Sequence, residues 1–510
     1  MELNPEQSNN AANNSHFSQE VVKGGIWVFM ARVFNQGLAL LKLIILARIL
    51  TPADFGIMGI ALLIIATAER FSQTGLQQAL IQKPKQIKDD LDTAWTILII
   101  RGIVLSLIIF FIAPLVVKFF KIEQASGIIQ IIGFSILLQA FNNIGIVFFY
   151  KQLDFKKQFI YQVGGDFTEF IVAVILAFKL RSVWALVLGL LAGRFAALIL
   201  SYAIQSYRPK LSLRFDKIKK LLGFGKWVTG SNIGVFIGGF LDNIIVGKLL
   251  GAASLGYYRM AYRISNMPAT EISYVISQVT FPAYAKIQHD NLQLKKMYLR
   301  ILRLTLVVCL PVVIMIGLLS SDFTMVFLGL KWRPMIPAMQ LLAFAGLMKS
   351  IVSTGSPLFV GSGNPKFEFH MQTVRALAMI ILIIPLTLRF NISGAALTVI
   401  FSMIAMFIVW YYCTGQIVKI TGKQYFKILK YPLIGGLLMS GMISLSLKLL
   451  GLTEKSLFFG GMLLCCVVVL GVIAYLGGIY LWQIKCHDFE LNQDFKFIFC
   501  TVIKRKSGSL

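Results

Sequence analysis

TAWTILIIRGIVLSLIIFFIAPLVV, residues 93–117, decides the architecture, because it holds a single charge, Arg101, in a run long enough to cross about 30 Å of hydrocarbon as a helix. Working outward, comparable runs occupy 24–46, 55–78, 127–149, 158–179, 183–205, 224–249, 255–280, 299–320, 336–360, 369–388, 393–414, 428–449 and 458–482. Turn residues and charges separate them. The pattern predicts an all-α polytopic membrane protein of about fourteen transmembrane helices with no sizeable soluble domain.

Composition agrees: 57% of the 510 residues are hydrophobic and 14% charged, against roughly a quarter charged in a soluble domain. Residues 1–23, with the Asn-rich Asn9–Asn14, lack the basic start and short apolar core of a cleaved signal and read as a cytoplasmic tail. The net charge of +27 could suggest nucleic acid. Lys and Arg instead concentrate in the loops on one side of the membrane, which by the positive-inside rule places both termini in the cytoplasm. The densest segment contains Arg208, Lys210, Arg214, Lys217, Lys219, Lys220 and Lys226 and fits topology and anionic headgroups better than nucleic acid.

Sliding the chain against itself by 200 residues aligns Gly25, Trp27 and Val28 with Gly225, Trp227 and Val228. At the same offset Leu41, Ile44, Ile45, Leu50, Ala53 and Gly56 meet Leu241, Ile244, Ile245, Leu250, Ala253 and Gly256. Six helices separate the two starts, so the halves are expected to be parallel repeats about an axis along the membrane normal. The expected organisation is a tail (1–23), an N-lobe (24–205), a basic linker (206–223), a C-lobe (224–414), two further helices (415–482) and a cytoplasmic tail (483–510). The two further helices, almost wholly Leu, Ile, Val, Gly and Met, are expected to face lipid.

Charges within the spans are expensive and are functional candidates by default. Arg32, Lys42, Arg70, Arg101, Arg194, Arg259, Arg263, Lys349 and Arg375 are basic; Glu69, Asp166, Glu169, Asp242 and Glu271 are acidic. Lys42, near a helix end, is expected to pair internally or snorkel. Asp166 and Glu169, three residues apart, are placed to neutralise Arg101 or Arg194. Even complete pairing leaves positive charge over. Arg259 and Arg263 stack on one helical face, where they repel unless an anion or acid lies between them. A cationic cavity with guanidinium forks suits phosphate or pyrophosphate. Asp166, Glu169 and Asp242 are the acids best placed to bind a coupling proton or cation. Gly361-Ser-Gly-Asn-Pro-Lys366 lacks the ending and preceding strand of a phosphate loop and reads as a turn. The histidines, His16, His289, His370 and His487, have no partner at ligand spacing, so no metal site, cofactor or catalytic constellation is implied.

Leu46-Ala-Arg-Ile-Leu-Thr-Pro-Ala-Asp-Phe-Gly56 resembles the segment between helices 1 and 2 of the Wzx-type oligosaccharide and polysaccharide flippases, within the multidrug/oligosaccharidyl-lipid/polysaccharide exporter superfamily. Asp242-Asn-Ile-Ile-Val-Gly-Lys-Leu-Leu-Gly251, Leu255-Gly-Tyr-Tyr258, Phe281-Pro282 and Phe327-Leu-Gly-Leu-Lys-Trp332 extend the resemblance over most of the chain. It implies translocation of a polyprenyl-pyrophosphate-linked oligosaccharide across a bacterial inner membrane by alternating access, for lipopolysaccharide or exopolysaccharide synthesis. The implied partners are membrane lipid, the lipid-linked glycan and polysaccharide assembly proteins. In the similar lipid II flippases arginines of helices 1, 2 and 8 line the cavity, which carries over to Arg32, Arg70, Arg259 and Arg263. Arg194 and Arg375 join them on burial cost alone.

Two rivals remain open. A cation-coupled multidrug exporter of the same superfamily would look alike, but usually carries an acid and a proline in helix 1, and residues 24–46 contain neither. A membrane polysaccharide polymerase or ligase would need a large outward loop, and every expected outward loop is short.

Overall fold

In the computed structural model, residues 30, 32–72, 88–151, 154–212, 215–288, 290–450 and 457–486 are described. Every regular element among them is helical. The segments are α1 (32–49), α2 (Pro52–Phe71), α3 (Lys88–Phe120), α4 (Ser126–Ala140), α5 (Phe155–Leu180) and α6 (Trp184–Ile204). Phe215–Lys286 breaks at Gly251 into α7 (215–250) and α8 (252–286). Next come α9 (Asn291–Phe323) and α10 (Ile336–Ser353). Lys366–Val418 breaks at Asn391 into α11 (366–390) and α12 (392–418), and α13 (Gly422–Leu450) and α14 (Leu457–Cys486) follow. Among the described residues eight helices are long and apolar enough to cross a membrane.

Single residues make two of the reversals. Gly251 has φ +83° and Asn391 φ +53°, conformations that Gly and Asn tolerate better than branched residues. Thr398 Oγ1 donates to Leu382 O at 3.3 Å across the second break, so α11 and α12 run back along one another. The connections expected there, 250–254 (five residues) and 389–392 (four residues), are therefore tighter than the hydropathy pattern suggested.

The chain divides into two compact units, residues 1–256 and 257–510. The division falls between Gly256 and Tyr257, within α8. In the first unit α5 packs along α6, and α4 touches α3 and α6. The Leu-Thr-Pro-Ala-Asp segment has a clear local role here. Thr51 caps α2 in a reciprocal box with Asp54, Pro52 opens the helix, and Asp54 Oδ1 also accepts from Val183 N at 2.9 Å, tying α2 to the α5–α6 turn. Behind it Leu46, Leu50, Ala173, Ala177 and Ala185 form a buried cluster.

Both copies of the repeated motif lie in this unit and meet. A methyl on Gly56 would lie 1.7 Å from Ala252 O, and one on Gly256 would lie 1.9 Å from Pro52 O. Positions 52 and 252, like 56 and 256, are 200 apart, so the two contacts exchange under one approximate two-fold. The repeat copies carrying Gly25 and Trp27 fall outside the described residues.

Residues 205–212 form an extended strap over the ends of α3 and α4. Tyr207 OH donates to Asp92 Oδ1 at 2.6 Å, Lys210 N donates to the same oxygen at 2.9 Å, and Asn143 Nδ2 donates to Tyr207 O at 2.6 Å.

In the second unit α10 packs on α9 and on the Lys366–Val418 pair, and α13 on α9 and α14. Tyr475 OH of α14 donates to Val307 O of α9 at 2.9 Å, and Leu319, Tyr431, Met439, Ile443, Val467 and Tyr475 share one core. Thus α13 and α14 each keep an outer apolar face, including Leu437, Leu449, Ile473 and Leu481, but are built into the unit through α9.

Candidate functional site: a polar cavity in the first unit

The α5–α6 seam is built from small residues. A methyl on Gly193 would sit 2.7 Å from Glu169 Cβ, and one on Gly189 would sit 2.6 Å from Ala173 Cβ, so only glycine lets these backbones approach. Close approach brings Asp166 and Glu169 of α5 beside Arg194 of α6. Together with Asn35 of α1 and with Tyr161 and Gln162, they line a cavity of about 230 Å³. This volume holds several waters or a small hydrated ion, at about 30 Å³ per water, and is too small for an oligosaccharide.

Glu169 Oε1 accepts from Lys42 Nζ at 2.5 Å, with both side chains about one-fifth exposed (22% and 21%). Lys42 is thus internally paired. Asp166 is exposed to the cavity, within electrostatic reach of Glu169, Lys42 and Arg194. Asn35 Oδ1 is buried and accepts no hydrogen bond, so a bare carbonyl oxygen lines the same space as a carboxylate.

Arg101 is a correction to the expected pairing with Asp166 or Glu169. Its Nε donates to Ser72 Oγ at 3.0 Å and its Nη2 to Glu69 O at 3.3 Å. The guanidinium therefore caps the end of α2, where unsatisfied carbonyls attract a cation. Asp242 is buried at 1% exposure, and its Oδ1 accepts from Asn243 N and Nδ2, both at 2.8 Å; it is not among the residues lining the cavity.

The remaining candidates are placed unit by unit. Arg32 on α1 and Arg70 at the end of α2 are half-buried in the first unit. In the second, Arg259 is half-buried and Arg263 exposed one turn apart on α8, and Arg375 is half-buried on α11. Lys349 of α10 is also half-buried, and the Arg375 guanidinium acts on it as a like charge. Sequence reasoning passed over Asn35, Tyr161 and Gln162, neutral residues in apolar runs, and over Arg303, which is buried at 8% exposure on α9.

A helical chain of apolar segments with cations in its helices and a small polar cavity in one unit defines a polytopic membrane protein. Residues 45–337 match the polysaccharide biosynthesis protein family, and the chain belongs to it. It is 24% identical to the lipopolysaccharide biosynthesis protein WzxC of Escherichia coli K12 over 71% of this chain and 74% of that one. It is 22% identical to the teichuronic acid biosynthesis protein TuaB of Bacillus subtilis 168 over 90% and 95% of the two chains. Its fold is similar to that of the lipid II flippase MurJ in an inward closed conformation, with TM-score 0.71 at 16% identity, covering 91% of this chain and 99% of that one. The inward-facing conformation of a multidrug resistance transporter of the MATE family, in the MOP superfamily, gives TM-score 0.61 at 18% identity, over 75% of this chain and 94% of that one.

Proposed function

We propose that this protein carries a polyprenyl-pyrophosphate-linked oligosaccharide from the cytoplasmic to the outer leaflet of a bacterial inner membrane by alternating access, for cell-surface polysaccharide synthesis. It acts as a fourteen-span transporter with no catalytic step, both termini being cytoplasmic. The observation that carries the reading is arginine on membrane helices, Arg32 and Arg70 in the first unit and Arg259, Arg263 and Arg375 in the second, within a polysaccharide biosynthesis family. Guanidinium forks grip pyrophosphate oxygens in pairs, whereas a multidrug exporter of cationic compounds gains nothing from them. The isoprenoid stays in lipid and only the head crosses.

Coupling is assigned to the first-unit cavity. Asp166, with the Asn35 carbonyl oxygen and Arg194 at its rim, takes up a proton or small cation, and Glu169 modulates it through its pair with Lys42. Asp242, closed over by Asn243, stands behind these as the third acid.

The test is surface glycan in flippase-deficient cells, normalised to the protein in the membrane. Arg32→Gln with Arg263→Gln together should abolish export at near-normal membrane levels. Full export by this double variant would overturn the anionic-substrate reading.

A further inference from the structure

α13 and α14 meet at one end of the second unit with only positive charge of their own. No aspartate or glutamate occurs in Gly422–Leu450 or in Leu457–Cys486. Lys423, Lys427 and Lys430 are spaced i, i+4, i+7 on α13, so they share one helical face, and all three are exposed. Helical neighbours three or four apart have Cβ atoms about 5–6 Å from each other, which confines the three ammonium groups to a strip of about 10 Å. Lys430 is the innermost, and its Nζ sits 4.8 Å from the centre of the Trp482 ring of α14. That contact holds the ammonium over the seam between the two helices.

Aromatic rings beside the strip fix its level. Tyr480 and Trp482 lie near the end of α14, and Tyr411 and Tyr412 near the end of α12, where Tyr411 packs on Tyr425 of α13 with centroids 5.3 Å apart. Such amphipathic rings gather where hydrocarbon gives way to headgroups. Two turns beyond Lys430 the same face becomes apolar, flanked by the exposed Leu437 and Leu438. A phosphate held by the lysines would thus lead into acyl chains laid over leucine. Topology alone asks only for basic loops; it does not ask for three lysines on one face, the last about 12 Å along the helix and against an indole.

We propose that Lys423, Lys427 and Lys430, with Trp482, form a binding site for the headgroup of an anionic phospholipid whose acyl chains lie on Leu437 and Leu438. The occupant is a resident of the surrounding leaflet, and the site is separate from the arginines assigned to the transported head. Charge complementarity selects it. Three ammonium groups, with no acid on either helix, match a phosphodiester that has no amine of its own, whereas a zwitterionic headgroup would bring a further cation into the strip. Each lysine at a membrane surface favours anionic lipid by about fivefold, and here three act within reach of one headgroup.

The test is native mass spectrometry of the full chain released from detergent with phosphatidylglycerol or phosphatidylethanolamine of the same acyl chains. It measures binding without transport and is independent of what the protein carries. The wild-type chain should bind phosphatidylglycerol at least about tenfold more tightly. K430Q should weaken that binding about fivefold, and K423Q/K427Q/K430Q should bring it to the level of phosphatidylethanolamine. K448Q, which removes the same charge from the last turn of α13, should leave it unchanged. Excess inorganic phosphate, which has no acyl chain, should not displace the lipid. Phosphatidylglycerol with a photoreactive group beside its phosphate should label the wild-type chain within residues 423–438 or at Tyr480–Trp482. Equal affinity for the two lipids, equal losses in K430Q and K448Q, displacement by phosphate, or labelling elsewhere overturns the site. The labelling and the lipid comparison use the wild-type chain and decide the matter even if the lysine variants do not fold.

Discussion

Cationic residues in a membrane helix serve either a ligand or the fold, and the partner decides which. Arg101 and Arg194 illustrate the two cases. Arg101 spends its donors on Ser72 and the Glu69 carbonyl at the end of α2, so Arg101→Ala should lower thermal stability by about 1–3 kcal/mol without altering export per molecule. A melting curve of purified protein together with normalised surface glycan checks both halves. Arg194 faces the cavity with Asp166, and there the prediction concerns coupling. Asp166→Asn should reduce export and remove its dependence on the driving cation or proton gradient, and Asp242→Asn, buried against Asn243, should weaken that dependence less. Unchanged gradient dependence in Asp166→Asn would make these acids structural. The cost of burying charge made Asp166, Glu169 and Arg194 visible in the sequence. Lys42 as the partner of Glu169 was not, because 127 positions separate them and only the fold closes the distance. Asn35 escaped for another reason: a neutral amide in an apolar run raises no alarm until its oxygen is found unsatisfied.

Between elements, glycine sets the distances. The α5–α6 seam at Gly189 and Gly193 is what holds Asp166 and Glu169 against Arg194, so Gly193→Val should push the helices apart, lower membrane levels and abolish export together. Quantitative immunoblotting beside glycan assay tests this, and wild-type export at wild-type levels would deny the seam its role. The Gly56 and Gly256 crossings extend the argument. Each glycine faces the carbonyl of the other copy of the motif, so Gly56→Val and Gly256→Val should have similar effects, and the double variant should be less than additive because either one already separates the segments. The 200-residue offset was legible because Gly, Leu, Ile and Ala recur in register; that the two copies touch was not, since periodicity reports spacing and says nothing of contact. The reversals at Gly251 and Asn391 were anticipated as short loops, and their tightness followed only from the positive φ angles.

For the whole molecule, hydropathy made the all-helical membrane architecture readable, because apolar length is fixed by the bilayer and is a property of sequence alone. The division into compact units depends instead on which segments lie close in space, a property that periodicity along the chain does not report. Orientation rests on charge. The segment from Arg208 to Lys226 carries the densest basic run, while the turn Gly329–Met335, three crossings further on in the proposed topology, carries only Lys331 and Arg333. Moving Lys and Arg across a bilayer during insertion is opposed, so the proposed orientation keeps the basic run in the cytoplasm and puts the 329–335 turn outside. A single cysteine at Lys217 should therefore react with an impermeant maleimide only after the cells are opened. One at Leu330, which is 74% exposed, should react in intact cells. This is best done in a background where Cys465 and Cys466, both exposed, are replaced by Ala. Labelling of Lys217→Cys in intact cells, with Leu330→Cys protected, would invert the molecule. The strap that fixes residues 205–212 to Asp92 and Asn143 would then lie on the outer face, and the proposed direction of export would have to be redrawn with it.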